Sequence, residues 1–153
     1  MKRTPLKPGK PLQRKTPMPP PRAAMRARRS GKAKPKTVYR NPALLKLAKG
    51  QACTFLVPGW CLGVSESARE TTVACHSNSS KHGKGAGIKA HDWAIAFGCW
   101  GCHFFYDQSA VSTEIKSGHF EPALQKTRAV IQGMGKWPEA AERGYQQVYG
   151  GAR

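Results

Sequence analysis

Cys99-Trp100-Gly101-Cys102 places two thiols two residues apart, and a second pair, Cys53 and Cys61, lies well upstream. Two cysteines at the first spacing aim at one ion from a single tight turn. The second pair then completes a tetrahedron of sulfur, the geometry that a structural Zn²⁺ requires. Nothing else in the chain constrains its fold as strongly, because two distant stretches must meet around one point. There are five cysteines. An odd number, in a sequence that opens without a secretory signal, favours metal over disulfides. Cys75 is left over. Its default reading is a small buried apolar side chain, with an extra ligand or a reactive thiolate as alternatives. Cys99-x-x-Cys102-His103 also spells the attachment sequence of a c-type haem. That chemistry needs export and leaves Cys53 and Cys61 without a role.

The chain has 153 residues and a formal net charge of +18. The charge is unevenly placed. Residues 1–40 hold fourteen of the 26 Lys and Arg, none of the eight acids and eight of the twelve prolines. Such a stretch has almost nothing to bury against the entropy of ordering it. Residues 1–40 are therefore expected to be a disordered basic, proline-rich tail, with one domain over residues 41–153. A solubilising role is the plain alternative, but the charge density favours a tether to DNA phosphates, with Arg26, Arg28 and Arg29 among its contacts. Polyanions are the natural partners, nucleic acid before an anionic membrane. No apolar run approaches the roughly 20 residues that span a bilayer. The prolines prevent the amphipathic helix of a transit peptide.

Asn41 can cap a helix that has Pro42 in its first turn and Gly50 as its end. Val57-Pro58-Gly59 is a turn. Thr71–His76 has strand composition, Ser77–His91 is a loop rich in glycine and lysine, and Trp93–Phe97 is a second short strand. A helix opens over His103–Gln108. Phe120–Ile131 reads as a helix with Pro122 in its first turn and Gly133 and Gly135 as a stop; Pro138–Tyr149 reads as the last. The expected fold is small α+β: strand, long loop, strand, zinc knuckle, helix, with flanking helices.

Cleaving a phosphodiester needs a base for the attacking water and a cation for the charge that develops on the phosphate. His76, at a strand end before a polar loop, suits the first task, since imidazole titrates near neutral pH. A packed or surface histidine is the plainer reading of it alone. His103 and Asp107 lie four residues apart on one helical face and offer a nitrogen and a carboxylate to a divalent ion; otherwise they are a surface pair. Asp92 could orient His76, ligate the ion or merely begin the strand. Asn78 could bond across the loop or cap it. Gly83-Lys84-Gly85-Ala86-Gly87-Ile88-Lys89 lacks the spacing of a nucleotide-binding P-loop. It reads as a DNA-facing loop whose Lys84 and Lys89 meet phosphates, or else as a flexible linker.

The segment from Cys53 to Asp107 resembles the YbcO-like family of phage and prophage HNH-type nucleases. The matching residues are Cys53 and Cys61 with Val57-Pro58-Gly59, Glu70 through Asn78, Gly83 through Lys89, Asp92, Cys99-x-x-Cys102-His103 and Asp107. The basic N-terminus also looks like those of phage recombination-enhancement nucleases. The resemblance implies a ββα-metal (HNH, or His-Me finger) core over structural zinc. It also implies His76 as general base and His103 as ligand of a catalytic Mg²⁺ or Mn²⁺. Many such proteins carry Asp or His before the base; this chain has Cys75. A longer loop is expected at Gly63–Arg69. The implied activity is metal-dependent DNA cleavage in phage DNA processing or recombination, in the host cytoplasm, with a recombinase as a possible partner. The alternative is a zinc-stabilised DNA-binding or recombination accessory protein without catalysis.

Overall fold

The structure, a computed structural model, describes Gly9 and residues 38–151. The expected tail, with Arg26, Arg28 and Arg29, lies outside the described residues except for Gly9 and its last three positions. Residues 38–151 all fall within one compact unit.

The centre of that unit is a two-stranded antiparallel sheet. Strand β1 (Val73–His76) pairs with β2 (Ile95–Gly98) in the register Val73↔Gly98 to His76↔Ile95. All four residues of β2 are buried. Burial on both faces explains why this stretch is continuously apolar rather than alternating. Its outer edge is closed by two threonines. The Thr54 N–H donates to Phe97 O at 2.7 Å. Thr54 Oγ1 and Thr127 Oγ1 both accept from Phe97 N, at 3.1 and 3.0 Å.

Helix α1 (Pro42–Lys46) has the expected cap, with Asn41 Oδ1 accepting from Leu44 N at 3.1 Å. It stops at Lys46, and turns carry the chain to Gly50, whose φ is +77°. The expected long loop at Gly63–Arg69 instead contains helix α2 (Glu66–Glu70), capped by Ser65. Thr71 and Thr72, expected in the strand, both donate their hydroxyls to Ala68 O and close α2. Helix α3 (Trp100–Gln108) follows β2 directly and starts three residues earlier than expected, immediately after Cys99.

Helix α4 (Thr113–Gly133) is far longer than the expected Phe120–Ile131. Ser112 is its true cap, and Pro122 sits in its interior. The missing N–H removes one rung of the ladder. Burial of Phe120, Leu124 and Ile131 offsets that loss. Helix α5 (Glu139–Tyr149) closes the unit. α4 packs across β2. The core gathers there around Phe97, Phe120 and Leu124, with Tyr106 of α3 stacked on Phe120 at 5.0 Å between ring centroids. Among the described residues no helix is long and apolar enough to cross a membrane.

Candidate metal centre and active site

The four predicted cysteines converge. The sulfurs of Cys53, Cys61, Cys99 and Cys102 all lie within 4.8 Å of one another, and Cys61 and Cys99 are 3.9 Å apart. A regular tetrahedron with metal–sulfur bonds of about 2.3 Å has sulfur–sulfur edges of about 3.8 Å. The cluster therefore fits an ion such as zinc. All four are free thiols. Three of them are buried and Cys61 is half-buried. Backbone amides turn inward upon them: Leu62 N–H donates to Cys99 Sγ at 3.5 Å, and Phe55 and Leu56 N–H point at Cys53. Leu56 holds its amide there with φ of +50°, the one positive value at a non-glycine among the described residues.

The protonation pattern is that of thiols crowded around one point. A hydrogen bond from Cys102, opposed by burial, holds Cys53 down to about 4. The same bond, reinforced by burial, pushes Cys102 up. Burial raises Cys61. A cation relieves this competition by taking all four as thiolates.

The turn that carries the second ligand is built as its sequence requires. Trp60 N–H and Cys61 N–H both donate to Val57 O, at 3.2 and 2.9 Å, with Gly59 at φ of +76°. That is the glycine position of a type II turn after proline.

Two histidine–carboxylate pairs stand on β1, the turn before β2, and α3. His76, last residue of β1, has Nε2 2.9 Å from Asp92 Oδ1. Asp92 is 3% exposed. It also accepts from Arg40 Nη1 at 2.9 Å and from Asn41 N at 2.6 Å. Burial works against its charge, but the bonds from His76, Asn41 and Arg40 outweigh it and hold the carboxyl below its usual range. In the second pair, His103 Nε2 lies 2.9 Å from Asp107 Oδ2, one turn along α3. Their hydrogen bond raises His103 and lowers Asp107, burial opposing both.

Asn78 ties the loop after β1 to α3. Its Nδ2 donates to Asp107 Oδ1 at 2.9 Å, and its N–H donates to Tyr106 Oη at 2.8 Å. A cavity of about 490 Å³ opens there, lined by Asn78, Ser79, Ser80, Lys84, Asp107 and Lys116 among others. Lys84 thus reaches the same hollow as Asp107. Lys89 is exposed, and its carbonyl accepts from Arg40 Nη2. Cys75 is 1% exposed and faces away from His76, as adjacent strand residues must. It joins neither pair.

Sequence reasoning missed Arg40, whose charge reads as one more residue of the basic tail. It missed Tyr106, which reads only as core. It also missed Ser77 and His82, a buried pair at 2.6 Å in which His82 also meets Tyr149 Oη at 2.8 Å. A histidine inside a lysine-rich loop gives no local sign of burial.

The family model described as "Putative nuclease YbcO" matches residues 42–136, well over half of the chain. The chain belongs to that family. A solved structure described as "a putative bacteriophage protein" from Escherichia coli str. K-12 substr. MG1655 is similar at 22% identity. Its TM-score is 0.44, over 59% of this chain and 96% of that one. No curated protein matches.

Proposed function

We propose that the protein is a DNA endonuclease of HNH type that depends on a divalent metal, with β1, β2 and α3 as its ββα-metal core. Membership of a family described as a nuclease supports the reaction class. One observation carries the residue assignment: His76 at the end of β1 and His103 on α3 each hold a carboxylate at 2.9 Å, and Asn78 links the two elements.

In this reading His76 is the general base. Asp92 stays ionised and accepts the proton of Nε2, which fixes the tautomer and leaves Nδ1 with a free lone pair for the attacking water. Arg40 and the Asn41 amide hold Asp92 in place. His103 and Asp107 hold the catalytic ion; a nitrogen and a carboxylate, both about two-fifths exposed beside a cavity, suit a cation that keeps several waters. When bound, Mg²⁺ or Mn²⁺ supplies stabilisation of charge at the phosphate and the leaving oxygen. Asn78 positions Asp107, and Lys84 and Lys89 meet neighbouring phosphates. Zinc in the sulfur cluster holds the loop bearing Cys53 and Cys61 against α3. Residues 1–40, with Arg26, Arg28 and Arg29, tether the domain over residues 41–153 to DNA. The setting is phage DNA processing.

Supercoiled plasmid tests the assignment. The parent nicks it with added Mg²⁺ or Mn²⁺, and His76→Ala, with zinc content unchanged, nicks it at least about a hundredfold more slowly. Equal cutting by parent and variant removes His76 from the base role. No cutting by either leaves the non-catalytic accessory protein as the answer.

A further inference from the structure

We propose that Trp100, Phe104 and Trp60 form a platform on which an unpaired base stacks beside the scissile phosphate, so that the substrate is single-stranded or locally unpaired DNA. The substrate class rests on the nuclease reading; the platform itself rests on geometry. Trp100, Phe104 and Trp60 are 63%, 37% and 38% exposed. Rather than entering the core, they stack on one another. Trp100 lies 5.8 Å from Phe104 at 28°, and Phe104 lies 5.9 Å from Trp60 at 21°. Trp60 is anchored from below by Phe105 at 5.7 Å. Trp100, at the end of the ladder away from Phe105, is the most exposed of the three. Three large exposed aromatic rings in contact mark a binding surface.

The position of the ladder decides what it binds. Trp100, His103, Phe104 and Asp107 recur at the spacing that shares one face of a helix. They line one small hollow of about 70 Å³. Asp107 also lines the larger cavity that holds Lys84 and Lys116. The candidate metal pair therefore has rings on one side and cations with hydroxyls on the other, an arrangement for a base and its phosphates. Aromatic stacking on bases is strong and tolerant of sequence. A duplex conceals its base faces within the stack; an unpaired strand offers them. A chain with a net charge of +18 suits a polyanion better than an apolar protein surface.

The sulfur cluster also builds the ladder. Trp60 precedes Cys61 and Trp100 follows Cys99, so two of its rings are neighbours of ligands from opposite sides of the cluster. The segments that bring the sulfurs together thus also bring the rings together.

Binding is measured by fluorescence anisotropy on the full chain without added divalent ion, so that nothing is cut. The probes are a labelled oligothymidylate, a strand of equal length made of abasic sites, and a duplex of equal length. The parent binds oligothymidylate about tenfold more tightly than the abasic strand, which carries the same phosphates but no rings. Trp100→Ala loses at least about fivefold on oligothymidylate and nothing on the abasic strand or the duplex. Trp100→Phe regains most of the loss, and both variants keep their zinc. The platform is refuted if Trp100→Ala binds oligothymidylate as the parent does, or weakens equally on all three probes. A parent dimer that Trp100→Ala splits also refutes it, and assigns the surface to a second copy of the chain. Failure here leaves plasmid nicking by the parent intact; failure of the nuclease reading leaves the stacking preference intact.

Discussion

Gly101 leaves no room for a side chain. A Cβ there would lie 2.0 Å from Trp60 O, a backbone atom that cannot swing aside. Gly101, the second of the two residues between Cys99 and Cys102, is thus where the upstream loop presses on the start of α3. Gly101→Ala should force that loop away and spread the four sulfurs. The expected outcome is a loss of about 3 kcal/mol or more in thermal stability and less than one zinc per chain by a colorimetric zinc assay. An alanine variant with full zinc and parental melting would show that the loop yields easily. At this scale the sequence was legible where chemistry is local. Cysteine spacing and Pro58-Gly59 are written within a few residues of each other. Leu56 was not legible, since its left-handed backbone is imposed by the amide–sulfur contact and not by its own preference. Arg40 and Asp92 were not either; they meet across fifty residues, and Arg40 stands at the end of a run in which every other cation has the same appearance.

Among elements, β2 shows how tertiary contact rewrites local preference. Its outer edge is paired not with another strand but with Thr54 and Thr127, whose hydroxyls are 2.8 Å apart and both accept from Phe97 N. Either acceptor alone satisfies that amide. Thr54→Val and Thr127→Val should each cost about 1 kcal/mol. The double variant should cost more than their sum by about another 1 kcal/mol, because only then is a buried N–H left without a partner. Urea unfolding of the four proteins measures the coupling; strict additivity would mean that one threonine alone holds the edge. The strands themselves were legible from composition, to within two residues. Helix α2 was not, because Ser65-Glu66-Ser67 resembles loop composition and Thr71-Thr72 resembles strand. Both threonines in fact cap a helix with their hydroxyls. The start of α4 was missed for a related reason: Pro122 suits a first turn so well that it conceals the earlier cap at Ser112. The histidine–carboxylate pairing on α3 was legible from helical spacing, whereas the bond from His76 to Asp92 depends on the return of the long loop.

For the whole molecule, charge and burial act through different conditions. Deleting residues 1–36 removes half of the 26 Lys and Arg and no acid. On the nuclease reading proposed above, it should weaken DNA binding and flatten its dependence on salt, since fewer counterions are released, while leaving zinc content unchanged; an unaltered salt slope would remove the tether. Acid acts instead on the interior. His82 is fully buried. Tyr149 donates to Glu121, so it accepts from His82 Nε2–H, and His82 Nδ1 accepts from Ser77 Oγ. This network suits the neutral ring. Burial, partly countered by Glu121 and supported by Lys81 and His91, lowers His82 from the usual 6.5 to about 4. The unfolded chain therefore binds a proton that the folded chain refuses. Stability is fully present above about pH 6.5 and is lost as pH falls toward 4, by about 2 to 3 kcal/mol at pH 4.5. The depressed carboxylates, Glu142 at about 2 among them, lose their contribution only at lower pH. His91, also lowered by burial, acts in the same direction as His82, and His103 acts in the opposite one. A metal ion held by the sulfur cluster would also be exchanged for protons in acid. The difference between parent and His82→Gln removes these shared contributions, because glutamine can accept from Ser77 and donate to Tyr149 without gaining charge. The variant should be the less stable at pH 7 and should lose about 2 to 3 kcal/mol less than the parent between pH 6.5 and 4.5, by urea unfolding with zinc in excess. Parallel losses in the two proteins would place the acid sensitivity elsewhere, in the thiols or at His91.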